Sequence, residues 1–379
     1  MGAWWPAASR RAAHEDSVLH VIEVESGTQH DLAIERVPGV VYWLADSSGF
    51  LYSQLAAPQP DAPPSARYLN SVVRLHRLGT DPQADPIVFG SGIHAAVAMD
   101  PIAYPFVEAS ADGRWLIGLV VPGTQAEVEL YIAPAAGLAD PATCPWCQVA
   151  TVDDAVIGYA LCGDTLYLLT QRDAPRRTVS TARVQEPDLA TATVVVPQTE
   201  RVIKGIHVVG DVLLTRDLAV GAGRLRRVDP QGGAIVEVPL PVEGTIAAWA
   251  GESSAPDLLL ELMSWTVSAR LYRYDTIAGT IKDTGWLPPS AIDMSAVEAH
   301  EVMATAADGT AIPLSIIHRR GLPRDGRHPA LLVAYGSYGL IAYPPSFTPA
   351  LRSGCTVSVA CMVHTDVPTA PAAGCPRPP

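Results

Sequence analysis

Serine, histidine and aspartate side chains, which together can form a nucleophile, its base and an orienting acid, occur close together near the end of the sequence. Ser358, His364 and Asp366 lie within "SVACMVHTD". A catalytic triad needs groups that converge from separate elements, with the acid on the far side of the imidazole. Along one extended strand, side chains instead alternate between two faces. We therefore do not expect these three residues to form a catalytic site.

Ser337 is a second candidate nucleophile, within "YGSYG" at residues 335 to 339. A serine on a sharp strand-to-helix turn carries the pattern Gly-x-Ser-x-Gly. Ser337 has Gly336 directly before it and Gly339 two residues after it, and the full pattern occurs nowhere in the 379 residues. We interpret Ser337 as a small loop residue and predict that the chain by itself lacks a serine nucleophile.

Cys144 and Cys147 form "CPWC", a spacing that can supply half of a zinc site or a redox dithiol. Zinc would need a second pair or suitably spaced histidines, and the nearby sequence has neither. A dithiol normally opens a helix after a strand, whereas this pair lies in the Pro-rich segment "ADPATCPWCQVA". We predict two loop cysteines, and the sequence indicates no metal site and no cofactor.

Composition favours a folded all-β protein. Hydrophobic residues make up 48% and charged residues 17%, which is too apolar for a disordered chain. The 30 Gly and 34 Pro are spread along the chain, as expected where many tight turns separate short strands.

Charge and hydropathy exclude two classes of partner. The net charge of −13 would repel a phosphate backbone, so we expect no nucleic-acid partner. No run of roughly twenty apolar residues occurs, so we expect no membrane span. The opening "MGAWWPAASRRAAHED" is a poor signal peptide because its arginines follow its apolar residues. We predict a cytoplasmic protein, with a periplasmic one left open if upstream sequence is missing.

Five segments share a polar turn carrying Asp or Gly, followed by an apolar run that could cross a sheet. Their aspartates are separated by steps of about 66, 52, 47 and 46 residues, close to the roughly 40 to 50 of a propeller blade. The five aspartates are Asp46, Asp112, Asp164, Asp211 and Asp257.

A second recurring element alternates apolar and polar residues and ends in a turn, which is typical of a strand with one buried face. We interpret it as the outer strand of a blade. Two elements recurring in the same order favour a β-propeller of about five or six blades over the alternative, an irregular β-sandwich. The examples are "VLHVIEVESGT", "VVRLHRLGTDP", "VELYIAPAAGL", "GRLRRVDPQGG" and "ARLYRYDTIAG".

The pattern changes near residue 290. "HEVMATAADGTAIPLSIIHRR" predicts a hairpin with an Asp308-Gly309 turn and with Ile312, Leu314 and Ile316 on one face of its second strand. The run from Leu331 to Ala334 is apolar on both faces, which indicates an inner strand of a helix-covered sheet.

Two polar positions inside the repeats receive ordinary structural interpretations. His207 lies within an apolar strand, so we predict a core histidine with a hydrogen-bond partner and not a ligand. Arg226 and Arg227 are predicted to form a solvated outer-strand face.

Several segments together resemble the prolyl oligopeptidase family of serine peptidases, including its oligopeptidase B branch. The resemblance extends from about Asp16 to about Leu351 and rests on the order and spacing of the segments. They are "LHRLGTDPQADPIVF", "GDTLYLLTQRDAP", "RLYRYD", "DGTAIPLSIIHRRG" and "LLVAYGSYG".

The resemblance implies a seven-bladed propeller that caps an α/β-hydrolase domain and admits only short peptides. It also implies a role for Tyr335, which matches the family's strand-end tyrosine that helps to bind the oxyanion. A preorganised neutral O–H aimed at a developing oxyanion is worth a few kcal/mol where water is excluded. The alternative for Tyr335 is an aromatic residue that closes a strand end.

The tail departs from the family after about Leu351. It reads "RSGCTVSVACMVHTDVPTAPAAGCPRPP", with three cysteines, many prolines and no helical periodicity. We interpret it as the product of a shifted reading frame or a premature end. Leu331 to Ala334 is then expected to be an inner strand without neighbours.

These interpretations divide the chain into four parts: an unmatched segment at 1–14, a propeller at 15–289, the start of an α/β-hydrolase domain at 290–351 and an aberrant tail at 352–379. We expect a fragment of a peptidase that hydrolyses short peptides by acyl transfer, inactive alone because the catalytic Ser, Asp and His are missing. The alternative is a non-catalytic propeller that binds a peptide or a protein.

Overall fold

The computed structural model describes residues 4–10, 17–219, 222–229, 234–290, 293–323, 325–334 and 359–363. The chain divides into two compact units. One comprises Met1–Ile157, Gly163–Leu166 and Ala182–Ala192, and the other comprises Gly158–Cys162, Tyr167–Thr181 and Thr193–Pro379.

Within the described residues, five four-stranded sheets follow one another, and each joins its strands in chain order. This arrangement confirms the predicted all-β propeller fold. The strands of the first two sheets are β3 Val41–Trp43, β4 Gly49–Gln54, β5 Val72–Arg77 and β6 Ile87–Gly90, then β7 Tyr104–Ala109, β8 Trp115–Val121, β9 Glu129–Pro134 and β10 Cys147–Ala150. Before them, β1 Trp4–Arg10 and β2 Ser17–Glu23 form an antiparallel pair.

The other three sheets repeat the plan. Their strands are β11 Val156–Cys162, β12 Thr165–Thr170, β13 Thr178–Arg183 and β14 Thr193–Val196, then β15 Val202–Val209, β16 Val212–Ala219, β17 Ala222–Val228 and β18 Ile235–Val238, then β19 Thr245–Gly251, β20 Asp257–Met263, β21 Arg270–Asp275 and β22 Thr280–Asp283.

Helices in the described ranges are short 3-10 turns, and none has the length and apolar character needed to span a lipid bilayer. They are Pro64–Tyr68, Pro82–Ala84, Ala135–Ala139, Pro141–Thr143 and Val152–Asp154.

Four of the five recurring aspartates lie in the turn between the first and second strands of their sheets, as predicted, and the fifth, Asp257, is the first residue of β20. Asp46 accepts hydrogen bonds from the backbone N–H and the hydroxyl of Ser48, and Asp112 accepts one from the backbone N–H of Arg114. Such side-chain bonds to the backbone two residues ahead are the reason that Asp favours turns. In the third and fourth sheets the turn is Gly-Asp, and Gly163 and Gly210 supply the positive φ that a tight hairpin requires.

The alternating element occupies the third strand in four of the five four-stranded sheets, so its assignment to the outer strand of those sheets is wrong. In four of the five sheets it forms β5, β9, β17 and β21, while "VLHVIEVESGT" forms β2 and the turn after it. Each of these third strands has hydrogen-bonded neighbours on both sides. Apolar and polar residues alternate because one face of the strand packs in the hydrophobic core and the other does not. In β21, Tyr272 and Tyr274 are buried and Arg273 is exposed.

Arg226 also departs from its prediction, because it is buried and contacts Asp217 on the adjacent strand β16. Arg227 is half-buried and donates a hydrogen bond to the carbonyl of Thr276. His207 agrees with its prediction, since its Nε2 lies 2.7 Å from the carbonyl oxygen of Gly251.

The predicted hairpin forms from β23 Val297–Thr305 and β24 Ala311–Arg319, which pair without a register shift from Val297 opposite Arg319 to Thr305 opposite Ala311. Asp308 accepts a hydrogen bond from the backbone N–H of Thr310 in the turn. Ile312, Leu314 and Ile316 share one half-buried face, and the more buried opposite face carries Ser315 and Ile317.

The expectation that the strand near 331 lacks neighbours is wrong. That strand, β25 Ala330–Ala334, pairs in parallel with β26 Val359–Val363, which in turn pairs antiparallel with β24. The resulting order is β23-β24-β26-β25. The tail supplies this strand because "VSVACMV" is a short apolar run rich in β-branched residues, which suits a strand with partners on both sides.

Candidate functional site

The parallel pair of strands ends at the position where an α/β fold would place its chemistry. The last paired residues are Ala334 of β25 and Val363 of β26. Ligands of open α/β sheets bind beyond the carboxyl ends of parallel strands. Tyr335 and His364 are the next residues in the sequence after these two strands.

The side chains that could do peptidase chemistry lie outside the described residues, so their predicted roles stay predictions. Tyr335, the candidate hydrogen-bond donor to the oxyanion, lies outside them, and so do the residues that the sequence analysis judged unsuited to catalysis. The latter are Ser337, Ser358, His364 and Asp366.

One face of β25 is packed in the described part of the chain. Leu331 and Val333 pack against a small cluster centred on buried Ile317 of β24, together with Trp265 and Val297. Leu332 points the other way and is 66% exposed. An inner strand of a helix-covered sheet is apolar on both faces, and only one of the two is covered by the residues described here.

Two histidines and a glutamate come together on the β23–β24 hairpin, and sequence reasoning missed them. Oε1 of Glu298 lies 3.8 Å from Nε2 of His300 and 3.5 Å from Nδ1 of His318. The signal was present: a hairpin centred on Asp308 places residue 298 opposite residue 318. The prediction of no metal site was based on the spacing of possible ligands along the sequence. It did not take into account which residues of β23 and β24 lie opposite each other.

A second cluster of polar residues is buried in the first sheet. The Tyr52 hydroxyl donates a hydrogen bond to Asp85 at 2.9 Å, and Nδ1 of His76 donates to the same carboxylate at 3.0 Å. Arg74 donates to the Asp85 carbonyl oxygen at 2.6 Å. Burial, followed by the charge of Asp85, raises the pKa of Tyr52 well above its ordinary value.

This cluster contains the base and acid of a triad, but its geometry excludes that chemistry. In a triad the nucleophile bonds to the imidazole and the acid bonds to the far nitrogen. Here the third group, Tyr52, bonds to the acid, and Tyr52, His76 and Asp85 are all buried away from any substrate. We assign the cluster to stabilisation of the sheet.

A comparison with protein families agrees with the five repeated sheets and with the different, mixed sheet that follows them. The family model of the prolyl oligopeptidase N-terminal beta-propeller domain matches residues 8–283. The chain belongs to the prolyl oligopeptidase family.

Two curated proteins match very different shares of the chain. The prolyl endopeptidase of Elizabethkingia meningoseptica is 25% identical over 330 residues, which cover 86% of this chain and 44% of that protein. Dipeptidyl aminopeptidase BI of Pseudoxanthomonas mexicana is 36% identical over 86 residues, or 22% of this chain and 12% of that protein. The chain thus spans less than half the length of these relatives.

Solved structures of prolyl oligopeptidases share the fold. A prolyl endopeptidase structure superposes with a TM-score of 0.82 at 24% identity, covering 96% of this chain and 52% of that one. Prolyl oligopeptidase B from Galerina marginata, solved bound to a 25mer macrocyclization substrate, superposes with a TM-score of 0.81 at 17% identity, with the same coverage.

In this member of the prolyl oligopeptidase family, the two cysteines of "CPWC" have different surroundings. Cys144 is buried in the core cluster beside Trp146, and burial raises the pKa of its thiol to about 11. Cys147 is exposed and begins β10, so it lies in a strand and not in a loop. Both are free thiols. A buried thiol with a raised pKa is a poor nucleophile and a poor metal ligand, because both roles require the thiolate.

Proposed function

We propose that this chain is the propeller and the first strands of the hydrolase domain of a serine peptidase that cleaves short peptides by acyl transfer. The family match over residues 8–283 is the observation that carries the proposal. The sheet of β23 to β26 supports it, because a hairpin and then a parallel strand pair follow the propeller in the sequence.

The propeller limits access of substrate in this proposal. The relatives are named as prolyl endopeptidases and prolyl oligopeptidases, and the Galerina marginata enzyme was solved with a 25mer macrocyclization substrate. The proposed substrates of this protein are accordingly peptides and not folded proteins. Its proposed location is the cytoplasm.

Tyr335 donates its phenolic hydrogen to the oxyanion in the proposed mechanism. It follows β25 directly in the sequence. A neutral phenol at this position stabilises the negative charge that develops on the scissile carbonyl oxygen. Removal of one such donor typically lowers kcat by about 10²–10³-fold.

The 379-residue chain alone is proposed to be inactive, since it contains no Gly-x-Ser-x-Gly sequence. The test incubates the purified chain with chromogenic peptides linked through proline or arginine, and separately with a serine-directed phosphonate. We expect neither turnover nor covalent labelling. The Elizabethkingia meningoseptica prolyl endopeptidase serves as the positive control. Labelling of any serine in the chain would overturn the proposal.

The coding sequence provides the complementary test. Reading every frame from about codon 351 onward should reveal a continuation that includes Gly-x-Ser-x-Gly. In the enzyme restored from that frame, Tyr335→Phe should lower kcat with little change in KM. If no frame continues into such a sequence, the alternative of a non-catalytic propeller that binds a peptide or protein is favoured.

A further inference from the structure

The β23–β24 hairpin brings two imidazoles and one carboxylate within reach of a single ion. Glu298, His300 and His318 each offer a ligand atom that lies within 4.8 Å of the other two. The imidazole rings of His300 and His318 have centroids 5.2 Å apart.

Strand register holds these side chains on one face of the hairpin. Glu298 and His300 are two apart on β23, and His318 lies directly opposite Glu298 on β24. In an antiparallel pair, residues directly opposite each other project from the same face, as do residues two apart on one strand. The β23–β24 ladder pairs nine residues of each strand without a bulge, so the backbone under the cluster is fixed.

The hydrogen bonding of His318 leaves one of its nitrogens available. Nδ1 lies 2.9 Å from the carbonyl oxygen of Arg319, which can only accept a hydrogen bond, so Nδ1 carries the proton. Nε2 of the neutral ring then keeps its lone pair. His318 is 7% exposed, and Nε2 has no hydrogen-bond partner among the described residues. A metal-bound histidine typically has this arrangement, with its other nitrogen bonded to a backbone carbonyl.

We propose that Glu298, His300 and His318 bind one divalent transition-metal ion of the zinc class. Two imidazole nitrogens and one carboxylate form a known zinc ligand set, which leaves a fourth position for water. Magnesium and calcium are disfavoured because they select oxygen ligands.

The geometry needs only small adjustments. Tetrahedral zinc with bonds of about 2.0–2.1 Å separates its ligand atoms by about 3.3 Å. The separation of 3.8 Å between Oε1 of Glu298 and Nε2 of His300 is near this value. The 3.5 Å separation joins Glu298 to Nδ1 of His318, so the His318 ring must present Nε2 to the ion and Glu298 must move toward that atom. His318 is the buried, fixed ligand, whereas Glu298 and His300 are partly exposed and can change rotamer to complete the site.

The proposed metal site lies at the opposite end of the sheet from the proposed peptidase chemistry. His318 pairs with Val359, the first residue of β26, and Val359 pairs with Ala330, the first residue of β25. The proposed ion binds side chains of β23 and β24 at the end of the sheet where β25 and β26 begin, while Ala334 and Val363 mark the carboxyl ends of β25 and β26. Its effect is on the stability of the hairpin, and the inference does not depend on the proposed peptidase activity.

The test titrates the tag-free 379-residue chain with Zn²⁺ by calorimetry and with Co²⁺ by visible absorption. We expect one tight site per chain, d–d bands of a four- or five-coordinate Co²⁺ ion, and no thiolate charge-transfer band from the cysteines. Glu298→Gln and His300→Asn should each weaken binding at least about tenfold, since loss of even an outer-shell partner costs 10–100-fold. His30→Asn, a change of another exposed histidine, should bind as the parent does.

Thermal unfolding with and without Zn²⁺ gives a second measurement, because an ion that binds the folded state raises its Tm. The rise should occur in the parent and in His30→Asn, and should be lost in His300→Asn. Both His300 and Glu298 are partly exposed, so these variants should fold. Absence of binding, unchanged binding in the two ligand variants, or a thiolate charge-transfer band that accounts for the tight site would each overturn the proposal.

Discussion

Arg226 and Asp217 form a buried ion pair between two adjacent strands of the fourth sheet. Nη2 of Arg226 on β17 donates a hydrogen bond to Oδ1 of Asp217 on β16 at 3.0 Å, and its Nε contacts Oδ2 of the same carboxylate. The two side chains are 9% and 0% exposed. Because two guanidinium nitrogens contact the two carboxylate oxygens, the pair fixes the relative position of the two side chains. The two charges also neutralise each other.

Removal of one member of this pair should be strongly destabilising. Arg226→Met keeps most of the side-chain volume and leaves Asp217 buried without its partner, which should cost about 3–5 kcal/mol of unfolding free energy. Urea unfolding followed by tryptophan fluorescence measures the change. Arg273→Met provides the control, because Arg273 forms a pair with Asp257 at the surface. That control should cost no more than about 1 kcal/mol. Equal losses in the two variants would contradict the role of burial.

Substitutions in the hydrogen-bonded cluster around Asp85 should lower the free energy of unfolding by different amounts. Asp85→Asn keeps the shape of the side chain but removes the charge that Tyr52 and His76 bond to, so we expect a loss of about 1.5–3 kcal/mol. Tyr52→Phe removes one hydrogen bond and should cost less, about 0.5–1.5 kcal/mol. The same denaturation experiment compares the two variants. A larger loss for Tyr52→Phe would show that Asp85 does not organise the cluster.

Alkaline pH should destabilise the protein through three tyrosines, of which Tyr167 is buried and Tyr42 and Tyr104 are half-buried. Burial raises the pKa values of Tyr42, Tyr104 and Tyr167 to about 12 from their ordinary value of 10.0. The unfolded chain therefore releases these protons first, and folding stability is complete below pH of about 10 and falls as pH rises toward 12. Urea midpoints measured across this range should fall with pH. Tyr167→Phe should reduce the slope, and an unchanged slope in that variant would contradict this assignment.

The cysteines of "CPWC" should differ in reactivity. At mildly alkaline pH, iodoacetamide should modify exposed Cys147 in the native protein and leave Cys144 unmodified, because the Cys144 thiol is buried and its pKa is raised to about 11. Peptide mapping by mass spectrometry reads each cysteine separately. In denaturant both should react at similar rates, which serves as the internal control. Rapid native labelling of Cys144 would contradict its placement in the core.

Local rules predicted much of the propeller. The spacing of Asp46, Asp112, Asp164 and Asp211 locates the turns that join first and second strands, because an Asp side chain bonds its own backbone in a turn. The Asp308-Gly309 turn in the same way locates the β23–β24 hairpin. These signals depend on a few consecutive residues, so the sequence carries them directly.

Predictions failed where the answer depended on a neighbouring strand. Arg226 looked like a solvated charge, but Asp217 lies on the adjacent strand and neutralises it. The alternating segments looked like outer strands, although four of the five are third strands that pair with a fourth strand of their sheet. Leu331 to Ala334 was expected to lack neighbouring strands, yet residues 359–363 supply the partner of β25. An isolated segment contains no information about which strand will bond to its free edge.

The sequence by itself determined that this protein is a repeated all-β chain of the prolyl oligopeptidase type, followed by a hairpin and an apolar strand, because turns and alternation are encoded within short stretches. Only the tertiary structure decided which charges are buried and that Glu298, His300 and His318 meet on one face. Register between strands brings together residues far apart in the chain, and it is fixed by the hydrogen-bonded ladder as a whole and not by any one segment.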